Sequence, residues 1–359
     1  MQGRSRIVGQ FVFLTWVAMV VSPGWAGAQS NDGPQLSFTG RVHAQFRSSS
    51  VDDAIGSESL LRRARVTAVL KVNDLVSGQI QPDFAGGSAS LRNAFLKLSF
   101  SDYFNVTMGQ FKRSFDLFEL ESSTRMLVVE RAGSIEGAGS CAGIGGICSY
   151  GRFTEKLGYA GRDVGVGVNG TLGDLPLSYG MSVTNGEGQN KPDINSGKSF
   201  SGRVEYAVLS DLDVSVNVSV HDYDNLIDPT RAHATAWGVD VDWGSYSPGL
   251  HLQGAFVGGQ NWKDLSAAGS PSDFLTTQGT VTYLFPVTGT EDISGIEPVF
   301  RVSWADPDSD ADSDREVFLT TGVILHFIGR NRVAANIDVW DPAMGDKEWS
   351  FKVQTYLHF

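Results

Sequence analysis

Cysteine is almost missing from this chain, with 2 in 359 residues, and no CxxC pair can be built from them. HExxH and phosphate-cradling glycine loops are also lacking, so no metal or cofactor is expected. Positive charge is in short supply. Against 40 Asp and Glu stand 28 Lys and Arg, and the net charge of −12 argues against a nucleic-acid partner. Long apolar runs are lacking too. Beyond the first thirty residues no stretch approaches the roughly 20 apolar residues of a membrane-crossing helix. If the chain crosses a membrane it must do so with strands, and strands satisfy their backbone in lipid only as a closed barrel.

What is present suits strands. Glycine is plentiful at 42 residues and aromatics make up 11%. The N-terminus has Arg4 and Arg6 before an apolar stretch from Ile7 to Val21, then the small-x-small pattern Ala26-Gly27-Ala28. This reads as a secretory signal over 1–28, with a mature start at Gln29. The alternative is a membrane anchor, but about fifteen residues are short for a span of about 20, and Pro23-Gly24 follows. Residues 29–359 then form a single barrel domain.

Alternation supports the barrel. From Leu36 to Arg47 the odd positions 41, 43, 45 and 47 carry Arg, His, Gln and Arg, while the even ones are apolar or small. Val214, Val216, Val218 and Val220 share one face of another strand, and Thr276, Gln278, Thr280 and Thr282 share one face of a third. Strands are predicted near 36–47, 60–72, 75–85, 90–100, 104–112, 162–172, 175–185 and 200–209. The rest fall near 212–223, 231–243, 249–261, 274–285, 296–305, 315–328, 331–341 and 347–359. The total of about sixteen is even, as a bacterial single-chain barrel requires. Tight joints at Asn73-Asp74, Ser101-Asp102-Tyr103, Gly173-Asp174 and Ser210-Asp211 alternate with longer links such as 48–59, 113–161, 186–199, 262–273 and 306–314. Short periplasmic turns and longer external loops follow that parity, which a β-sandwich has no reason to keep. The alternating segment from Trp349 ends the chain on Phe359, resembling the terminal-strand signal that barrels present to their assembly machinery.

The link 113–161 is too apolar for a solvated tip, with Phe115, Leu117, Phe118, Leu120 and Met126-Leu-Val-Val129 in its first half. The barrel interior is the surface available to it, so it is expected to fold inward and narrow the channel. Cys141 and Cys148, seven apart in an exported chain, could close a small disulfide loop or remain two free thiols.

Arg62-Arg63-Ala64-Arg65, Gln81-Pro82-Asp83-Phe84-Ala85-Gly86-Gly87 and Met108-Gly109-Gln110-Phe111-Lys112 resemble the phosphate-selective porin O/P family. So do Leu120-Glu121-Ser122-Ser123 and Glu130-Arg131-Ala132. The resemblance implies a homotrimer of sixteen-stranded outer-membrane porins, each with its third external loop constricting an anion pathway lined by arginines. Its partners would be outer-membrane lipid and lipopolysaccharide, the barrel assembly machinery, and small anions as permeants. Arg62, Arg63, Arg65 and Lys112 lie on matching motifs. Arg41, Arg47, Lys71, Arg203 and Arg301 join them as lumen candidates by parity alone. Glu119, Glu121, Arg125, Glu130 and Arg131 fall in the constriction loop. Its acidic members, with Glu136 and the aspartates of 306–314, depart from the family pattern, so phosphate specificity does not follow.

The expectation is an all-β, transmembrane antiparallel β-barrel of about sixteen strands with an inward-folded third external loop, working as a weakly anion-preferring porin. The inward charges could instead merely pair and fill the barrel. An outer-membrane barrel enzyme is the rival class. Its base would come from His43, His221, His233, His251, His326 or His358, none beside a recognisable serine motif. A structural or adhesive barrel would need long external domains.

Overall fold

The computed structural model describes residues 33–51, 56–139, 141, 143–173, 175–224, 231–244 and 246–359, and the proposed signal over 1–28 lies outside them. The strands are β1 (Gln35–Ser49), β2 (Ser57–Lys71), β3 (Val76–Asp83), β4 (Ser90–Ser101), β5 (Phe104–Lys112) and β6 (Arg162–Thr171). They continue as β7 (Leu177–Thr184), β8 (Ser199–Leu209), β9 (Leu212–Asp224), β10 (Arg231–Trp243) and β11 (Gly249–Leu265). The last are β12 (Pro271–Pro286), β13 (Gly295–Asp306), β14 (Glu316–His326), β15 (Arg332–Asp341) and β16 (Glu348–His358). Each pairs antiparallel with its sequence neighbours, and β1 closes on β16 in one barrel. The largest boundary difference from the alternation pattern is at β11 and β12. They run on to Leu265 and from Pro271, so the expected link 262–273 shrinks to a tight turn.

Period-two patterning becomes two chemical faces. On β9, Val214, Val216 and Val218 are exposed outward, while Ser215, Asn217 and Ser219 are buried inward. Apolar surface facing out is favourable only against lipid. Phe100, Tyr103, Tyr206, Trp243, Tyr283 and Phe285 stand exposed at the short-turn end, the interfacial level that aromatic rings prefer. The turns have local causes. The Asn73 side chain accepts from the amides of Leu75 and Val76, at 3.0 and 2.7 Å, and reverses the chain between β2 and β3.

The link between β5 and β6 folds into the barrel. It carries two short helices, α1 (Leu117–Leu120) and α2 (Tyr150–Lys156), and a disulfide joining Cys141 to Cys148. Phe115, Phe118, Tyr150 and Phe153 pack on Ala234 and Ala236 of β10, Ala255 and Val257 of β11, and Phe274 of β12. Small inward residues on these strands leave the space that the loop's rings fill. Further along, Leu127 and Val128 meet Val299, Val129 meets Ile324, Ala334 and Tyr356, and Ile135 meets Phe318 and Trp340. Each large side chain so buried contributes roughly 1.5–3 kcal/mol. The loop thus packs against the inner wall of β9–β16, and the open space it leaves is bounded mainly by β1–β6 and reaches the outer ends of β9 and β11.

Gly109, within the Met108-to-Lys112 motif, is a position where glycine is required. Its φ is +128°, and a Cβ there would sit 2.3 Å from the Ala94 carbonyl oxygen of the adjacent strand. Left-handed strain costs about 1–3 kcal/mol before the backbone clash is added. Gly109→Ala should therefore lower the fraction of heat-modifiable, folded barrel and its melting temperature; a variant as stable as the parent would contradict this register.

Candidate functional site

The path left open by the loop is a cavity of about 990 Å³. In a chain of net charge −12, its lining carries twelve Arg and Lys against seven Asp and Glu. Arg41 comes from β1, Arg62, Arg63 and Arg65 from β2, Arg92 from β4, Lys112 from the end of β5, and Arg162 from the start of β6. Glu119, Ser122, Ser123, Glu130 and Arg131 face them from the loop. These groups form an eyelet between wall and loop.

Pairing decides which charges act. Asp83 takes Arg65 at 2.7 Å and Arg92 at 3.2 Å. Glu130 takes Arg62 through two hydrogen bonds at 2.7 and 3.0 Å, and Glu119 takes Arg131 at 3.1 Å. Four of the eyelet cations, Arg41, Arg63, Lys112 and Arg162, have no ion pair among the described residues. Arg41 donates to Ser123 Oγ at 2.8 Å, Arg162 to Asn93 Oδ1 at 2.7 Å, and Lys112 to the carbonyls of Glu119, Leu120 and Glu121. Arg63, buried beside them, lies 3.5 Å from His43 Nδ1. Neutral partners fix these groups without cancelling them. A unit charge at 4 Å is worth about 1 kcal/mol in water and about 4 kcal/mol near a protein surface, so four are enough to bias a narrow passage.

Of the nine cations assigned to the lumen pathway from sequence, Arg41, Arg62, Arg63, Arg65 and Lys112 line this cavity, and four do not. Lys71 sits exposed at the end of β2, paired with Asp74 at 2.8 Å. Arg47 is inside but held by Glu58 and by Glu136, at 2.6 Å to the latter. Arg203 belongs to the opposite wall, clamped by Asp240 at 2.6 Å and Glu205 at 2.9 Å. Arg301 lies buried under the loop, donating to the carbonyls of Glu130 and Arg131 at 2.8 and 3.0 Å. Parity identified the inward face, but an inward arginine can serve as an anchor.

The loop residues divide in the same way. Glu119, Glu130 and Arg131 reach the eyelet, whereas Glu121 bonds Tyr246 beyond β10 and Arg125 stacks 5.4 Å over that same ring. Glu119 is neutralised by Arg131, and Glu121, turned to the Tyr246 hydroxyl, stays outside the cavity lining. Arg92 was missed because a register shift between Gln81 and Pro82 upsets simple alternation between β3 and β4, and Arg162 because it is the first residue of β6, where alternation has barely begun. A second shift, at His43 and Ala44 opposite Arg63 and Leu61, turns both Arg62 and Arg63 inward. Among the described residues no group of three or more His, Cys, Asp or Glu could hold a metal.

A closed sixteen-strand barrel with an inward third loop and a charged eyelet defines an outer-membrane porin. Residues 36–242 match the family model for the phosphate-selective porin O and P, and the chain belongs to that family. Solved structures share the fold at low identity. A loop-deletion mutant of OmpT, an outer-membrane protein of Vibrio cholerae, is 13% identical with a TM-score of 0.60, covering 91% of this chain and 100% of that one. The trimer form of OmpT gives 12%, a TM-score of 0.57, and coverage of 91% and 100%. An engineered mutant of the Rh. blastica porin gives 14%, a TM-score of 0.53, and coverage of 90% and 100%. A comparison with curated protein sequences finds no relative.

The Arg62–Glu130 pair ties the loop to the far side of the eyelet. Burial pushes the Glu130 carboxyl up, but Arg62 beside it outweighs that and holds it at about 2, below its ordinary 4.5. A depressed carboxylate stabilises the docked loop at pH above 4.5, and that stability drains away as pH falls towards 2. Single-channel conductance should thus be steady from neutral pH to about 5 and change only below it. In Glu130→Gln that acid-dependent step should vanish, and an unchanged step would show that the pair does not hold the loop.

Proposed function

We propose that this porin conducts small anions by passive diffusion, with phosphate-like oxyanions among its permeants. The carrying observation is the set of cations without an ion pair among the described residues, Arg41, Arg63, Lys112 and Arg162, at the eyelet, where the facing loop carboxylates Glu119 and Glu130 are each paired with another arginine. Of the aspartates of the external link 306–314, Asp310 and Asp312 are exposed to bulk solvent, where charge is screened beyond about 8 Å at physiological salt, and Asp306 is buried and paired with Arg315 at 3.0 Å. On the opposite wall, Asp240 is paired with Arg203, and Asp242 lies 2.6 Å from His251 Nε2.

The barrel is not an enzyme in this reading. His221 has a serine hydroxyl in reach, Ser199 Oγ at 3.3 Å, but Ser199 is fully buried and cannot meet a substrate. Residues 1–28 serve as a cleaved export signal, and the assembly machinery reads the C-terminal strand ending at Phe359. Three copies associate in the outer membrane among lipid and lipopolysaccharide, as the family resemblance implies.

Two measurements test this. Deleting Phe359, whose main chain exchanges hydrogen bonds with Gly40 at 2.7 and 3.1 Å, should leave unfolded chain in the periplasm; normally inserted protein would count against the assembly role. In a potassium chloride gradient the reversal potential should report anion preference. Arg41→Ala with Arg162→Ala should lower the anion-to-cation ratio by about threefold or more, the change that ~0.7 kcal/mol makes. Arg65→Ala should change it less, since Arg65 is neutralised by Asp83. A wild-type channel that favours potassium, indifferent to the double substitution, would refute the anion reading.

A further inference from the structure

The eyelet cations account for the attraction of negative charge, but the cavity they line is far larger than a bare inorganic ion. At about 990 Å³ it lies at the upper end of the range of roughly 300–1,000 Å³ found for organic ligands. One part of its wall is also chemically unlike the rest. At the outer ends of β9 and β11, Tyr223 and His221 both stack against Trp262, with ring centroids 5.2 and 5.0 Å away and planes within 27° and 31°. The Trp262 ring is fixed in orientation by its Nε1, which donates to the Leu157 carbonyl at 2.8 Å. Lys263 places its Nζ 5.0 Å from the same ring centre.

A barrel lumen is ordinarily polar, so an aromatic stack on its wall calls for a cause. Packing against the inward loop explains Tyr223, which is buried in that apolar cluster. Trp262 packs only partly on that cluster, and the rest of its ring stays exposed and lines the open cavity. Lys263 is exposed and bonds only the Lys156 carbonyl, so its charge has no carboxylate among the described residues. A rigid indole with a free ammonium group beside it offers two complementary surfaces at once. The ring presents a π-surface to a planar apolar body, and the ammonium group presents a charge to a carboxylate.

We infer that the vestibule wall formed by Trp262, Tyr223 and Lys263 is a binding step for aromatic carboxylates, which dwell there before passing the arginine eyelet. The inference rests on the anion-conducting reading above and narrows it to organic anions with a planar ring. A ring stacked on Trp262 keeps its carboxylate within reach of Lys263, and the eyelet cations below then draw the charged end onward.

The test is block of chloride current through the full-length channel in planar bilayers, using benzoate, cyclohexanecarboxylate and acetate. The three share one charge and differ in planarity and size. Benzoate should reduce the current at concentrations about fivefold lower than cyclohexanecarboxylate, in the range that one aromatic contact supplies. Trp262→Leu should abolish that difference, while Trp262→Phe, which keeps a ring but loses the loop-anchoring N–H, should retain it. Lys263→Gln should weaken block by benzoate and cyclohexanecarboxylate alike. Equal potency of the two in the wild-type channel overturns the inference even if neither variant inserts, and a surviving chloride preference would then leave the anion reading intact. Loss of the difference in Trp262→Phe as fully as in Trp262→Leu also overturns it, because the ring would then act only through the loop. A wild-type channel without chloride preference refutes both readings together.

Discussion

A chain that crosses a bilayer with strands must leave no backbone amide or carbonyl unpaired in hydrocarbon, and everything else in this structure is built inside that constraint. Closure of β1 on β16 removes the last free edges, with partners running from Arg41 opposite His358 to Ser49 opposite Ser350. Once the ring is closed, alternation assigns each side chain to lipid or lumen, and the lumen becomes an enclosed space whose contents can be chosen.

Half of that space is taken by the link between β5 and β6. Its docking combines apolar packing with polar anchors that would be costly to leave unmet. Arg332 donates to the Met126 carbonyl at 2.6 Å, Asn336 accepts from the Val129 amide at 2.7 Å, and Arg301 holds the next turn. The strands facing the loop have inward Ala234, Ala236 and Ala255 where a water-filled lumen would carry polar side chains. Wall and loop are therefore one core, and the permeation path is displaced to the opposite wall. There the arginines of β1, β2, β4 and β6 converge, each restrained by a carboxylate, a hydroxyl or a carbonyl.

Charge in this lumen is settled pair by pair. The protein as a whole is acidic, yet its eyelet is basic, because the carboxylates that enter it arrive as partners. Asp83 serves two arginines, and Glu130 and Glu119 serve one each. What remains is a small number of cations held by neutral groups. Such cations keep their field, and in a narrow passage with low-dielectric walls that field acts on whatever enters.

Much of this was legible in the sequence because it depends on local periodicity. Alternation of period two, the tight turn at Asn73, the apolar content of 113–161 and the terminal Phe359 each carry a short-range cause, and together they specify a barrel with an inward loop. The family motifs likewise marked Arg62, Arg63, Arg65 and Lys112. Arg92 was invisible because the register shift at Pro82 breaks the parity that would have revealed it, and Arg162 because it stands at the very start of β6. The roles of Arg301, Arg203 and Arg47 were hidden for a different reason. Their partners lie at the loop carbonyl of Glu130, at Asp240 and at Glu136, brought near only when the barrel closes and the loop docks. Sequence determined which face a residue takes wherever the strand is regular, since alternation is a property of a strand by itself. Tertiary structure alone decided which charges remain free, since neutralisation is a property of pairs and falls off with a distance that no single strand contains.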